Sequence, residues 1–173
     1  GQNVTLKVIE DKSELTRENL AEMVKGRKLD RIIIEYNGMW LLNDFYERIP
    51  QDWVIYQEIM FADVNTFENY NANMRNQTVD KLRVSELVVF NRMDKSIDKI
   101  ELHKIVRGVS RRINIAYEYA DGRLEYDNEE DPLPFDVDAP VVEIADRDYA
   151  LWFRDFAEDV KKYNGKTVKF KGI

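Results

Sequence analysis

The chain has 173 residues, of which 44% are hydrophobic and 34% charged, and its formal net charge is −7. This length allows one full domain, or one domain and part of another, and the negative charge argues against nucleic acid as a partner, because Lys and Arg must neutralise phosphates there. The sequence has no cysteine and one histidine, which excludes disulfides, thiolate zinc sites and clusters of imidazole ligands. We find no signal peptide and no apolar run near the roughly 20 residues that span a bilayer, so we expect a cytosolic protein without membrane contact. A first residue of Gly1 rather than Met suggests a cleaved tag or an excised piece.

The first third of the chain predicts alternating strands and helices. We expect strands over residues 4–10 and 30–36, the second with an unbroken apolar run suited to the centre of a sheet. A helix lies between them, because Thr16 is suited to cap its start and Gly26 to end it. A third strand is expected within residues 51–64.

The middle of the chain continues the alternation. A mostly helical stretch leads to a strand over 86–90, a helix over 98–110 and a strand over 113–119. The 86–90 strand is short, apolar and β-branched, which is typical of a strand covered on both faces. His103 lies beside the apolar face of its helix, where we interpret it as an ordinary surface residue. The alternation predicts an α/β fold, with a mostly parallel sheet and helices that flank it.

The last third has a different texture. Asp121-Gly122 stands between alternating aromatic residues, which predicts a two-residue hairpin. Residues 127–140 are acidic and rich in proline, as in a linker. An aromatic stripe at helical spacing then predicts an amphipathic helix over 148–163, and residues 166–170 predict a C-terminal strand. The predicted organisation is an α/β domain over 1–126, a linker over 127–140, and the start of a second domain over 141–173.

Polar residues follow three of the predicted strands, where open α/β sheets bind their ligands. They are Asn91 and Asp94 after one strand, Glu35, Asn37 and Gly38 after another, and Asp63 after the third. A carboxylate there suits Mg²⁺, and a glycine allows a backbone N–H to approach a phosphate. The alternative is structural: Asp94 or Ser96 caps the helix that comes next.

In their order and spacing these segments resemble the CobW/HypB/UreG-like P-loop GTPases over roughly residues 1–120. The matching segments are Ile34-Glu35-Tyr36-Asn37-Gly38, Phe61-Ala62-Asp63-Val64-Asn65, Gln77 and Asn91-Arg92-Met93-Asp94. The last matches the guanine-reading Asn-Lys-x-Asp of that family, with Arg92 in place of Lys. The resemblance implies a P-loop NTPase-like core in a parent protein that binds GTP and Mg²⁺ and is associated with metal delivery.

The resemblance also implies a role for each matching residue. Asp94 would accept hydrogen bonds from N1 and the exocyclic amine of guanine, while Asn91 would fasten the loop or contact the base. Arg92 would weaken base affinity, because Arg and Lys are not interchangeable where the stem packs on a base. Glu35 would bind the magnesium ion. Asn37, Gly38 and Asp63 would complete the segments that sense magnesium and phosphate.

The departures from the family are equally specific. The chain has no Gly-x-x-x-x-Gly-Lys-Ser/Thr, so we expect this chain alone to hydrolyse no GTP and to hold no bound cofactor. It also has no Cys-x-Cys-Cys, which argues against a metallochaperone role. Loss of the strand that precedes the phosphate loop would leave a vacancy with exposed edges. We therefore expect an unknown protein partner or a homodimer. The alternative function is a non-catalytic interaction domain that docks through the 148–163 helix.

Overall fold

The computed structural model describes residues 4–129 and 131–171, and within them the chain adopts an α/β fold. Its main sheet has four strands in the order β1–β2–β3–β4, with β1, β2 and β3 parallel and β4 antiparallel to β3. The strands are β1 (Ile59–Asp63), β2 (Leu87–Met93), β3 (Asn114–Tyr119) and β4 (Leu124–Tyr126). The prediction of an α/β fold with a mostly parallel sheet is confirmed. The predicted hairpin is confirmed, with Gly122 at φ 81° between β3 and β4, but its loop has three residues and not the predicted two, because Tyr119 N–H bonds to Arg123 O.

Six helices flank or extend this sheet in the described residues. They are α1 (Arg17–Val24), α2 (Leu42–Tyr46), α3 (Val64–Asn73), α4 (Arg75–Val84), α5 (Lys99–Arg107) and α6 (Tyr149–Glu158). Short 3-10 turns lie at Lys12–Glu14, Asp146–Asp148 and Val160–Tyr163. Thr16 caps α1 through its hydroxyl, as its position predicts. No helix in the described ranges is long and apolar enough to cross a membrane.

The main core lies on one face of the sheet. Alternate residues of the three parallel strands point to this face, and they pack against apolar side chains of α3, α4 and α5. The strand residues are Ala62, Val88, Phe90, Ile115 and Tyr117, and the helix residues include Phe67, Leu82, Leu102 and Val106. β2 is buried on both faces, as its apolar run predicts, because Val89 on the opposite face is also buried. β1, by contrast, is an edge strand, and its Phe61 is 65% exposed.

The predicted strands over 4–10 and 30–36 are wrong in this structure. Both segments run without regular secondary structure, and no backbone hydrogen bond joins residues 4–10 or 31–36 to any other described residue. Leu6 and Ile33, which we expected to be buried, are 82% and 93% exposed. The physical reason is that a strand needs a neighbour for its N–H and C=O groups, and the sheet offers these segments none.

The described fold leaves an unusually large surface. The accessible area is 12707 Å², against the roughly 8,900 Å² that size scaling gives for a compact monomer of this mass. The excess is roughly 3,800 Å². Exposed apolar residues of 4–10, 31–34 and β1 contribute to it. Exposed apolar residues that are close together in the chain are typical of a site of macromolecular contact.

The C-terminal part forms a second, smaller cluster. β5 (Val141–Glu143), which the sequence did not reveal, pairs in parallel with β6 (Thr167–Lys169), and α6 connects them. The predicted helix over 148–163 is shorter than expected, because α6 ends at Glu158 and a 3-10 turn follows. Residues 127–129 and 131–140 contain no helix or strand. The outer limits of the predicted domains, residues 1 and 173, lie outside the described residues.

A buried carboxylate, that of Asp155 in α6, holds this cluster to the rest of the chain. It accepts hydrogen bonds from Lys162 Nζ at 2.6 Å and Tyr163 Oη at 2.7 Å, and Arg111 Nε lies 3.4 Å away. Burial raises the pKa of this carboxyl, but the two hydrogen bonds and the nearby cations outweigh it and hold that pKa below its usual range. Arg111 also pairs with Asp131 at 2.6 Å, so one guanidinium links the α5–β3 corner to both segments.

Candidate functional site

The carboxyl ends of β1 and β2 bring two of the predicted segments together. Asp63 closes β1 in register with Asn91 of β2, and the carboxylate of Asp63 forms an ion pair with the guanidinium of Arg92. Asp63 also accepts a hydrogen bond from the backbone N–H of Asn65 at 3.0 Å and so caps α3. The hydrogen bonds from Asn65 and the charge of Arg92 lower the pKa of this carboxyl. Asp63 is therefore a fixed anion at this edge.

The backbone at the end of β2 is irregular in a way that exposes this site. Pairing between β2 and β3 shifts register between Phe90 and Met93, and Arg92 has φ 60°, the one positive φ among non-glycine residues in the described part of the chain. Such a conformation costs on the order of 1–3 kcal/mol and clusters at functional sites in proteins. The bulge separates Asn91 and Arg92 from the β3 ladder.

Asn91 carries an unsatisfied group. Its side-chain oxygen Oδ1 is buried and has no hydrogen-bond partner among the described residues. An unpaired buried acceptor costs about 1–3 kcal/mol, and such an atom in a native structure calls for an explanation such as a ligand or a contacting segment. Asn91 thus offers an acceptor at the ligand edge of the sheet.

Asp94 is not a helix cap. Asp98 caps α5, accepting from the backbone N–H of Ile100 at 2.9 Å and of Glu101 at 3.3 Å, so the structural alternative for Asp94 or Ser96 is wrong. Oδ1 of Asp94 accepts from Ser96 Oγ at 2.5 Å and from Ser96 N at 2.6 Å, and these two hydrogen bonds lower the pKa of the carboxyl. Oδ2 makes no hydrogen bond within the described residues. The ionised side chain is exposed, oriented by its own loop, and has one oxygen to offer.

The third segment forms no hydrogen bond with the other two in the described residues. Asn37 Oδ1 accepts from Met39 N at 2.9 Å, and Gly38 O accepts from Tyr70 Oη at 3.0 Å, so this loop docks on α3. Glu35 is exposed, and no hydrogen bond or ion pair connects it to the other predicted site residues in the described ranges. A Cβ on Gly38 would meet no atom within 4 Å, so local packing does not require glycine there.

The chemistry of the carboxylates bears on magnesium. The described residues contain no group of three or more His, Cys, Asp or Glu side chains that could hold a metal ion. Mg²⁺ in nucleotide sites is usually held by one or two carboxylates together with waters and phosphates. Of the two carboxylates that the sequence predicts for magnesium, that of Asp63 is engaged by Arg92 and by α3 in this structure, and that of Glu35 is exposed.

A buried cluster that the sequence did not reveal lies elsewhere, between α5 and the end of β4. Asp127 is 2% exposed at its side chain and accepts from Tyr117 Oη at 2.9 Å, while His103 Nδ1 lies 2.8 Å from its other oxygen. The expectation of a surface His103 is therefore wrong, since the residue is 6% exposed. Burial raises the pKa of the Tyr117 hydroxyl, and the bond to Asp127 raises it further. No local pattern links positions 24 residues apart, so this pairing belongs to tertiary structure.

Comparison with known proteins adds no relative. No family model matches the chain, no curated protein matches it, and no solved structure matches it.

Proposed function

We propose that this chain carries the guanine-recognition and switch-like segments of a GTP-binding protein of the CobW/HypB/UreG-like type. The observation that carries the proposal is at the end of β2: Asn91 has a buried acceptor without a partner, and Asp94 presents a free carboxylate oxygen on the loop that follows. Both lie at the edge where parallel sheets bind small molecules.

The chemistry of these side chains favours guanine over adenine. A carboxylate accepts hydrogen bonds from two adjacent N–H donors, and guanine offers such a pair in N1 and its exocyclic amine. Adenine lacks that pair, so it would leave Asp94 unpaired. The lowered pKa of Asp94 supports this role, because the group stays an acceptor at neutral pH. Arg92, in its strained conformation, stands where the family has Lys.

The rest of the proposed nucleotide site is incomplete in this chain. A P-loop NTPase-like core would place a further strand beside β1, and the free edge of β1 and the unpaired segment 31–37 support that arrangement. In it, Glu35 would bind Mg²⁺, with Asn37, Gly38 and Asp63 near the terminal phosphate. Without a phosphate loop the chain is not competent to hydrolyse GTP, because that loop supplies the backbone N–H groups and the Lys that hold the phosphates.

The first test is nucleotide binding by this chain. We expect GTP with Mg²⁺ to bind weakly or not at all in titration calorimetry, because most triphosphate affinity comes from the phosphate loop and the metal. In NMR titrations at high nucleotide concentration we expect GTP, but not ATP, to shift the side-chain amide signals of Asn91. The amide of Asn73, which donates to Asn69 O on the exposed side of α3, is the internal control. Micromolar affinity, or equal shifts with ATP, would contradict the proposal.

A second candidate function has its own observation. Tyr149, Phe153 and Phe170 form an exposed aromatic patch around α6: the rings of Tyr149 and Phe153 stack at 6.4 Å, and Phe170 lies 5.1 Å from Tyr149. Phe153 is 56% exposed, although the aromatic stripe in the sequence is compatible with either the core or an interface. Aromatic side chains in such patches are typical of interaction surfaces. The alternative is therefore a non-catalytic interaction domain.

Sedimentation of single variants separates the two surfaces. We expect the chain to form a homodimer at high concentration, and we compare Phe153→Ser in the aromatic patch with Phe61→Ser on the free edge of β1. Loss of the dimer with Phe153→Ser alone would favour the interaction domain. Loss with Phe61→Ser alone would favour an incomplete sheet that recruits a second copy. A species of 20.5 kDa at every concentration would contradict dimerisation.

A further inference from the structure

Three arginines line a cleft between the main sheet and α6. Arg83 lies in the last turn of α4, Arg112 in the corner between α5 and β3, and Arg154 in α6, and the cleft has a volume of about 690 Å³. This volume lies within the roughly 300–1,000 Å³ of small-molecule sites. In a chain with a net charge of −7, this concentration of guanidinium groups calls for a reason.

Most of the N–H donors on these side chains have no hydrogen-bond partner among the described residues. Each guanidinium has five N–H donors, yet Arg112 makes one hydrogen bond, to Glu158 O at 2.7 Å, and Arg154 makes one, to Gly108 O at 2.8 Å. Arg83 makes none, and no carboxylate in the described residues forms an ion pair with any of the three. Nε of Arg154 is buried without a partner. Arg83 and Arg112 are exposed, so solvent reaches their remaining donors, whereas the buried Arg154 Nε has neither solvent nor a protein partner in the described ranges. Three guanidinium groups beside one buried, unpaired donor favour an anionic ligand.

The cleft is distinct from the proposed nucleotide site. Glu86 and Asn114 line it, and they stand at the amino ends of β2 and β3, whereas Asn91 lies near the carboxyl end of β2 and Asp94 follows that end. Two carboxylates, those of Glu86 and Glu158, also line the cleft, and Glu158 Oε2 is already engaged by the backbone N–H of Arg111 at 3.1 Å. The charged side chains of the lining therefore retain an excess of cations.

We propose that this arginine cleft binds a small phosphate monoester. A phosphate group has three terminal oxygens and two negative charges, so it is able to accept from guanidinium groups on three separate elements at once, and Arg binds it in bidentate geometry. A carboxylate offers only two oxygens and one charge. Because Arg83 and Arg112 come from the α/β part and Arg154 from α6, the bound phosphate bridges the two parts and fixes them together.

Calorimetric titration with inorganic phosphate and with glycerol 3-phosphate, at constant ionic strength, tests the proposal. We expect one site per chain for both, and none for glycerol. Arg83→Gln removes a side chain with no hydrogen bond to lose in the described residues, so folding is preserved, and we expect it to weaken binding by about tenfold or more. The matched control is Arg147→Gln, which removes the same charge from a side chain that is 87% exposed; we expect a change of less than about twofold.

Three outcomes overturn the proposal. One is an absence of phosphate binding, another is equal weakening in Arg83→Gln and Arg147→Gln, and the third is binding to phosphatidic acid vesicles without binding to glycerol 3-phosphate. Asp94→Asn should leave phosphate binding by this cleft unchanged. A failure of guanine recognition and a failure of the arginine cleft are therefore distinguishable.

Discussion

Asp127→Ala is expected to lower the free energy of unfolding by about 3–5 kcal/mol, the usual cost of removing one partner of a buried ion pair. The Asp127 side chain is 2% exposed and accepts a hydrogen bond from Tyr117 Oη at 2.9 Å. His103 Nδ1 lies 2.8 Å and Arg107 Nη2 3.7 Å from its carboxylate. Its removal leaves two buried polar groups, the Tyr117 hydroxyl and the His103 ring, without their partner, and it takes away the carboxylate near the partly buried Arg107. Urea denaturation of the variant and the wild-type chain measures the difference.

The control is a carboxylate of the same type on the surface. Asp138 pairs with Lys166 at 3.1 Å, but its side chain is 96% exposed, so Asp138→Ala should change the free energy of unfolding by no more than about 0.5 kcal/mol. Asp127→Asn retains the shape and one acceptor, and we expect a loss smaller than that of alanine. Equal losses for Asp127→Ala and Asp138→Ala would show that the buried cluster does not stabilise the fold.

Asp94→Asn is expected to change nucleotide preference in the intact GTP-binding protein that we propose. The amide is able to donate to the 2-carbonyl of xanthine, which a carboxylate repels, while GTP loses a charge-assisted hydrogen bond. That loss should weaken GTP by about 1.5–3 kcal/mol, or roughly 10 to 150-fold. Affinities for GTP and xanthosine triphosphate, measured before and after the change, give the result.

Asp98→Asn is the matched control in that experiment. Asp98 caps α5, and Asn caps a helix about as well as Asp, so we expect the same fold and an unchanged preference for GTP. If Asp94→Asn also leaves the preference unchanged while GTP still binds, Asp94 only orders its loop through Ser96. Both substitutions replace an Asp with an Asn and remove one negative charge. A change of nucleotide preference in Asp94→Asn alone is therefore not explained by the loss of charge.

Local sequence patterns were sufficient to predict the elements that are specified by a few neighbouring residues. The hairpin at Asp121-Gly122 depends on a turn whose conformation Gly122 adopts by itself, at φ 81°. The start of α1 depends on the Thr16 hydroxyl, which accepts a hydrogen bond from the backbone N–H of Asn19, three residues later. β2 was expected because its apolar run is short and β-branched, which favours a strand over a helix.

The candidate site was only partly accessible in the same way. The sequence indicates polar residues at three predicted strand ends, but it does not show that Asp63 and Asn91 stand in register, nor that the segment of Glu35 forms no strand. Nor does it separate Asp94 from Asp98 as the cap of α5, since both are Asp residues that shortly precede the helix. The bulge at Arg92 has no glycine to reveal it.

By itself, the sequence determined the α/β class, the positions of the β2, α5 and β3 elements and the absence of cysteine chemistry, because these follow from composition and from periodicity over a few residues. Tertiary structure alone decided whether the apolar segments 4–10 and 31–36 became strands, since backbone groups need a neighbouring strand that no local pattern supplies. It also decided that His103 is buried against Asp127 and that three arginines face one cleft. Burial and charge pairing depend on residues far apart in the chain, and only the folded arrangement brings them within a few ångströms.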